Sequence, residues 1–273
     1  MDLIVSQLFI YPIKSMGGIE LATSKVESRG LQYDRRWMLI DDQNRFISQR
    51  ENSMLALFRV SISEVGLSVK LLYDSNEGIG VPFLSKDDHV IHQRIIVSIW
   101  DDRCEALVYP DEINDWFSDR LDMKCRLVYM SDDIHRKIDP KYTVENDITS
   151  FSDGYPILII GQSSLDDLNS KLEDAIPMNR FRPNIVFTGG DPFQEDDMHS
   201  FRINQCEMRG VKLCARCNIP TIDQDTILTN SEPTATLAKY RLKEKKILFG
   251  QNVIAKTFGK IHVGNEVEII PSR

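Results

Sequence analysis

The chain has 273 residues, 42% hydrophobic and 27% charged, a length and balance that suit two soluble globular domains and exclude a disordered chain. A net charge of −8 and a pI near 5.2 argue against nucleic acid or an anionic membrane as a general partner, so any anion site must be a local cluster of cations. The five cysteines are scattered except for one pair, no leader-like segment precedes the first apolar run, and no apolar run approaches the ~18 residues of a membrane span, which together predict a soluble cytoplasmic protein with free thiols.

The first hundred residues read as β-rich. Leu8-Phe9-Ile10-Tyr11, Trp37-Met38-Leu39-Ile40, Leu57 to Ile62 and Arg94 to Trp100 are short runs rich in β-branched and aromatic residues. Turn signals at Gly17-Gly18, Asp41 to Asn44 and Asp74 to Gly78 separate them, which suggests a barrel or sandwich rather than βαβ units. A helix opens at Pro110-Asp111, with Ile113, Trp116, Phe117 and Leu121 on one face. The polar stretch from Ser131 to Asp153 is the expected inter-domain connection.

The second half begins with the apolar strand Ile157 to Ile160, then a helix capped at Ser163 or Ser164 with Leu165, Leu168 and Leu172 on one stripe. The strand Asn184 to Phe187, a Gly189-Gly190 turn and a strand ending at the cysteine pair follow. A helix starts near Ser231 with Pro233 in its first turn, and a hairpin around Gly264-Asn265 closes the chain.

Four segments carry chemistry. Cys214 and Cys217 stand in Cys-X-X-Cys spacing beside Lys212 and Arg216, and a thiolate is both a nucleophile and a soft-metal ligand. A structural zinc site needs a second pair of ligands, but the other cysteines are isolated and His89 and His92 lie far upstream. A thioredoxin-like dithiol needs a helix to start at the motif, which Pro220 opposes. Both readings are therefore weaker than a single thiolate offered to a metal cofactor, and two inert buried thiols are a further alternative. Arg180-Phe181-Arg182-Pro183-Asn184 offers planar forks suited to phosphate, with Pro183 holding Arg182 and Asn184 extended on one side of a strand. Lys14-Ser15, before Gly17-Gly18 and followed by Asp34-Arg35-Arg36-Trp37, could hold an anion or be a solvated turn. Phe151-Ser152-Asp153-Gly154-Tyr155-Pro156 is a turn into a buried strand.

Taken together and in this order, Tyr11-Pro12-Ile13-Lys14-Ser15, Asp34 to Trp37, Ser152-Asp153, Arg180 to Asn184, Cys214-Ala215-Arg216-Cys217 and Thr221-Ile222-Asp223 resemble the MOSC family of molybdenum-cofactor proteins. The resemblance covers nearly the whole chain and is to the branch with an N-terminal MOSC β-barrel domain, which includes the mitochondrial amidoxime-reducing components. It implies a β-dominated α+β fold of two barrel-like domains with a few short helices, divided at 1–130 and 131–273, with the cofactor in the cleft between them. It implies that Cys217 ligates molybdenum and that Lys14, Ser15, Arg35, Arg182, Asn184 and Arg216 hold the pterin and its phosphate, with Asp153, Gly154, Tyr155, Ala215 and Asn252 lining the site. Gly154-Tyr155 departs from the Thr-Ser often found in this branch, and Ala215 stands where relatives often carry Ser or Thr.

The activity so implied is reduction of small N-hydroxylated compounds (amidoximes, hydroxylamines, N-hydroxylated bases). Electrons would come from a separate flavin, haem or iron–sulfur reductase, because no four-cysteine ferredoxin-like extension and no membrane anchor is expected. No residue stands out as the proton donor; Asp223 is the candidate. The rival reading is a carrier of the cofactor, or of a sulfur atom as a Cys217 persulfide.

Overall fold

A computed structural model describes residues 2–74, 78–84, 92–143 and 147–271. The turn signal at 75–77 and His89 therefore lie outside the described residues. Among the described residues β-strands dominate, and three short α-helices interrupt them: Asp111–Leu121 (α1), Gln162–Asn169 (α2) and Thr234–Tyr240 (α3). None of the described helices is long and apolar enough to cross a membrane.

The N-terminal half is built on two small antiparallel sheets. One runs in the order Trp37–Ile40, Arg126–Tyr129, Asp102–Val108, Arg94–Ile99; the other in the order Phe58–Ile62, Gly66–Leu71, Ile79–Pro82. Period-two burial makes these strands: Val97 and Ile99 face inward from Arg94–Ile99 while Arg94 and Ile96 face out. α1 covers one core with Ile113, Phe117 and Leu121, packed with Trp37, Phe58 and Leu127. Pro110 sets its entry, Asp111 and Glu112 lie in its first turn and Arg120 in its last, a charge order that suits the helix dipole.

The C-terminal half is one long sheet. Its order is Ile19–Leu21, Ile4–Ile10, Ile185–Thr188, Ile157–Gly161, Lys246–Ala255, Cys206–Ala215, Phe201–Ile203, Val267–Ile269. The first strand of the chain thus pairs with Ile185–Thr188 (Val5 opposite Phe187, Leu8 opposite Ile185), and Thr23–Glu27 pairs with Gly259–His262. Val5, Leu8, Ile10, Val26 and Leu31 are buried with Ile159, Ile185, Phe187 and Phe201 in one core. Ile157–Gly161, α2 and Ile185–Thr188 form a parallel pair with a helical crossover.

Four local expectations are corrected. The segment after Ser131 is packed rather than a loose connection: Arg136–Lys137 pairs with Ile148–Thr149, and Ile134, Arg136 and Ile138 are buried. The N-cap of α2 is Gly161 and not a serine; Ser164 is buried and used otherwise, its Oγ donating to Glu195 Oε2 at 2.8 Å and accepting the Phe193 N–H at 2.7 Å. Pro233 is the cap before α3 rather than a residue of its first turn. The chain does reverse at Gly264, where φ is +93°, but the flanking strands do not pair with each other: Gly259–His262 joins Thr23–Glu27, and Val267–Ile269 joins Phe201–Ile203. Turn chemistry dictates a reversal, whereas burial of Ile261 and Val267 in the core selects the partner strands.

Candidate functional site

The twelve residues that the resemblance assigns to the metal and cofactor all line one cleft with a volume of about 690 Å³, which is in the range of small-molecule and cofactor sites. They come from both halves of the chain. Lys14 and Ser15 lie just after the strand Ile4–Ile10, and Arg35 lies just before Trp37–Ile40. Asp153, Gly154 and Tyr155 form the turn before Ile157–Gly161, and Arg182 and Asn184 precede Ile185–Thr188. Ala215 ends Cys206–Ala215, Arg216 and Cys217 follow it, and Asn252 lies on the adjacent strand Lys246–Ala255. Seven lysines and arginines and four aspartates line the cleft, so an acidic protein turns a net basic surface to it.

Tyr11 organises one wall. Two guanidiniums lie over its buried ring, Arg35 at 4.4 Å and Arg182 at 4.2 Å from the centroid, and its hydroxyl donates to the Pro183 carbonyl at 3.1 Å. Burial pushes the Tyr11 hydroxyl up to about 12, against the opposing pull of Arg182 and Arg35, so it stays protonated. The two arginines differ in their partners. Arg35 donates to Asp34 Oδ2 at 2.6 Å and to Asn184 Oδ1 at 3.0 Å. Arg182 is 8% exposed, and among the described residues nothing accepts a hydrogen bond from its guanidinium. Burial pushes its pKa down to about 10, with Arg35 adding to that effect, and it remains charged at neutral pH.

Asn184 is largely consumed by the fold. Its Oδ1 accepts from Arg35 and from the Leu158 N–H at 3.1 Å, while its Nδ2 donates to the Phe9 carbonyl at 3.1 Å. It positions Arg35 and leaves one N–H for a ligand. Asn252 likewise donates to the Lys212 carbonyl at 3.0 Å. Arg182 corrects the expectation of an extended backbone through this segment: its φ is +56°, and the strand begins only at Ile185. The turn Met178–Arg180 has to be reversed into the sheet, and Arg182 is where that happens. Ser15 and Arg35 also have positive φ, +70° and +48°, so three of the twelve are non-glycine residues in the left-handed region. Such conformations persist where the surroundings over-determine them, and they gather at ligand sites.

A second wall holds the cysteine pair. Arg216 donates to Cys214 Sγ at 3.2 Å and to the Phe181 carbonyl at 2.8 Å, while its Nε is buried without a partner. Both cysteines are partly exposed, unlike Cys104, Cys125 and Cys206, which are buried. Across from them Lys14 Nζ binds Asp153 Oδ1 at 2.5 Å and the Phe151 carbonyl at 2.8 Å. Burial lowers Lys14 to about 8, partly offset by Asp153. The Asp153 carboxylate is favoured the other way. Its place in the cleft favours the neutral form, but Lys14 and Arg50 outweigh this and hold the carboxyl well below its usual range. The side chain is 51% exposed, so solvent screens both ion pairs.

Sequence reasoning missed three contributors, Arg50, Arg136 and Trp100, and named a fourth, Lys212, only as a neighbour of the cysteine pair. Arg50 donates to Asp153 Oδ2 at 2.7 Å and lies near Cys217, and its Nη1 is buried with no hydrogen-bond partner among the described residues. Arg136 clamps the turn from beneath by donating to the carbonyls of Ser150, Ser152 and Asp153. Lys212 lies over the rings of Tyr142 and Tyr155 at 4.6 and 5.7 Å. Trp100 also lines the cleft. Only Lys212 carried a sequence signal, its place beside the cysteine pair. The others are brought in by pairing over distances no local pattern encodes. Asp223 does not line the cleft: it caps a turn, accepting from the Asp225 and Thr226 N–H groups, and it pairs with Arg180 at 3.0 Å. Partial burial works against the charge, but those bonds and Arg180 keep the carboxylate below its ordinary pKa.

The donor set fits an anionic cofactor. Arg182 without an acceptor and the orphaned Arg50 Nη1 and Arg216 Nε are buried donors whose partner is not in the fold. Among the described residues no three His, Cys, Asp or Glu side chains converge as a metal site.

Residues 3–124 match the model of the MOSC N-terminal beta barrel domain, and residues 146–268 match that of the MOSC domain. The chain is similar to mitochondrial amidoxime-reducing component 1 of Mus musculus, with 28% identity covering 97% of this chain and 82% of that protein. It is similar to mitochondrial amidoxime reducing component 2 of Rattus norvegicus, with 30% identity over 96% of this chain and 82% of that one. With the molybdenum cofactor sulfurase of Oryza sativa subsp. japonica it shares 31% identity over 91% of this chain, but it spans only 32% of that protein.

Proposed function

This chain belongs to the MOSC family in its form with an N-terminal β-barrel domain, and from that premise we propose that it is a molybdenum-cofactor-dependent reductase of N-hydroxylated compounds. The observation that carries the proposal is the cleft itself, in which a partly exposed Cys217 shares one cavity with Arg182, whose guanidinium has no acceptor among the described residues, and with Arg50 and Arg216, each of which keeps one buried nitrogen without a partner. Cys217 is the metal ligand. Lys14, Ser15, Arg35, Arg182, Asn184 and Arg216 hold the pterin and its phosphate, and Asp153, Gly154, Tyr155, Ala215 and Asn252 line the pocket around it.

When bound, the cofactor supplies a metal able to take an oxygen atom from the substrate and to pass two electrons. The chain's own residues set the stage for that exchange. Arg182 and Arg216 direct charge-assisted donors at the anionic end, while Asp34 and Asn184 fix Arg35 so that no rotamer search is needed on binding. Asp153 acts as a fixed anion that orients Lys14 and Arg50 and does not release a proton. Conversion of an amidoxime to an amidine and water consumes two electrons and two protons; the electrons come from a separate flavin, haem or iron–sulfur protein and the protons from solvent. The substrate is a small molecule, and the setting proposed is cytoplasmic.

The similarity to the rice sulfurase supports a second reading, a carrier of the cofactor or of sulfur on Cys217. Reduction of benzamidoxime by the purified protein, with a chemically reduced viologen as donor, separates the two. A reductase turns over and loses that turnover in Cys217→Ala, whereas a carrier that retains its cofactor gives no amidine.

A further inference from the structure

Trp100 stands where a tryptophan is least expected. The strands Arg94–Ile99 and Asp102–Val108 pair with Ile99 opposite Asp102, which leaves Trp100 and Asp101 as a two-residue hairpin turn. Trp100 has φ +53°, and the first position of such a turn, when φ is positive, favours glycine or asparagine over a bulky side chain. Burial gives no compensation, because the residue is 50% exposed. Yet the ring is held in place. The Arg50 guanidinium lies 4.7 Å from its centroid, and Phe46 meets it edge-on at 4.9 Å. Arg50 is in turn bound to Asp153 and lies near Cys217, and the Phe46 ring lies 5.1 Å from Lys14 Nζ. A strained, half-exposed aromatic thus lines the cleft one side chain away from the candidate metal ligand.

We propose that Trp100, held by Arg50, is a specificity-determining residue whose exposed ring surface stacks on the planar π-system of the substrate, so that the site prefers aryl amidoximes and N-hydroxylated heteroaromatic bases to aliphatic N-hydroxy compounds. The inference rests on the reductase reading for the identity of the N–O group, and on the turn geometry for the residue. A ring fixed before the ligand arrives loses little conformational freedom on stacking, which is why an aromatic at a turn serves better than one on a mobile loop.

The test compares benzamidoxime with acetamidoxime, two probes that share the amidoxime and differ in the ring. Calorimetric dissociation constants are measured on the cofactor-loaded, oxidised protein without an electron donor, for wild type, Trp100→Ala and Trp100→Phe. Wild type binds benzamidoxime the more tightly. Trp100→Ala weakens that binding about 3- to 10-fold and moves acetamidoxime by less than about twofold, while Trp100→Phe retains most of the preference. An equal loss for both probes, unchanged affinities, or no binding of benzamidoxime by wild type would overturn the assignment. Turnover of the same probes with reduced viologen is scored separately. Failure to reduce either one sinks the reductase reading, while the binding ratio still decides the role of Trp100.

Discussion

At the scale of single residues, the cleft is recognisable by side chains whose hydrogen-bonding capacity exceeds what the fold uses. Arg182 is the clearest case: it is buried, lies over Tyr11 and has no acceptor among the described residues, whereas Arg35, over the same ring, has Asp34 and Asn184. Arg182→Ala should therefore weaken cofactor retention by roughly 1.5–3 kcal/mol, about 10- to 150-fold, with little loss of stability. Molybdenum remaining after prolonged dialysis measures it, and unchanged occupancy would contradict the role. Glu195 shows the opposite imbalance away from the cleft. It is fully buried, burial raises its carboxyl to about 7 against the Ser164 hydrogen bond, and its Oε1 has no partner. A carboxyl whose folded pKa lies above its unfolded one holds an extra proton in the folded state, so its contribution to stability is intact at low pH and is lost as pH rises through about 7. Wild-type stability should fall between pH 5 and pH 8 by up to about 3 kcal/mol from this group. Glu195→Gln should flatten that slope in denaturant titrations; an identical slope in the variant would exclude Glu195 as its source.

At the scale of elements, the turns do as much as the strands to build the cleft. Gly30 has φ +106°, and a Cβ there would run into the Pro156 carbonyl, immediately after the Asp153–Tyr155 turn. Gly30→Ala should cost roughly 1–3 kcal/mol and lower Tm by several degrees, because both the backbone conformation and the close approach reject a side chain. A thermal melt within one degree of wild type would show that the turn can move. The strands themselves were largely legible: Trp37–Ile40, Phe58–Ile62 and Arg94–Ile99 fall on the runs of β-branched and aromatic residues, and α1 falls on the Pro110 signal with its expected apolar face. Such signals are local and periodic. Partner choice is not, so the Gly264 reversal read as a hairpin although its two strands serve different neighbours. Serines in α2 read as caps because a buried serine bound to Glu195 has the same local sequence as an exposed one. The cleft was legible only where motifs stood together, as at Cys214 to Cys217. Arg50, Arg136 and Trp100 reach it by tertiary pairing and carry no motif of their own.

At the scale of the whole molecule, the two halves share strands and part of one core. The working division we propose is 1–130 and 131–273, and Ile4–Ile10 and Thr23–Glu27 cross it to pair with strands of the second half. A fragment of residues 131–273 lacks Val5, Leu8, Ile10, Val26 and Leu31 from its main core and should fail to fold alone. A cooperative melt of that fragment by circular dichroism would contradict this. The same tie holds Lys14 and Arg35 opposite Arg182 and Cys217 without a large interface between separate bodies, and it concentrates cations in a protein of net charge −8. The central claim is that this shared cleft holds a molybdenum cofactor through Cys217. The most direct measurement is molybdenum and pterin content per chain, for wild type and Cys217→Ala, purified from a cofactor-producing host. The account predicts near-stoichiometric molybdenum in wild type and a marked fall in the variant, with both proteins folded. Absence of molybdenum and pterin from the wild type, or equal molybdenum in both proteins, would contradict it.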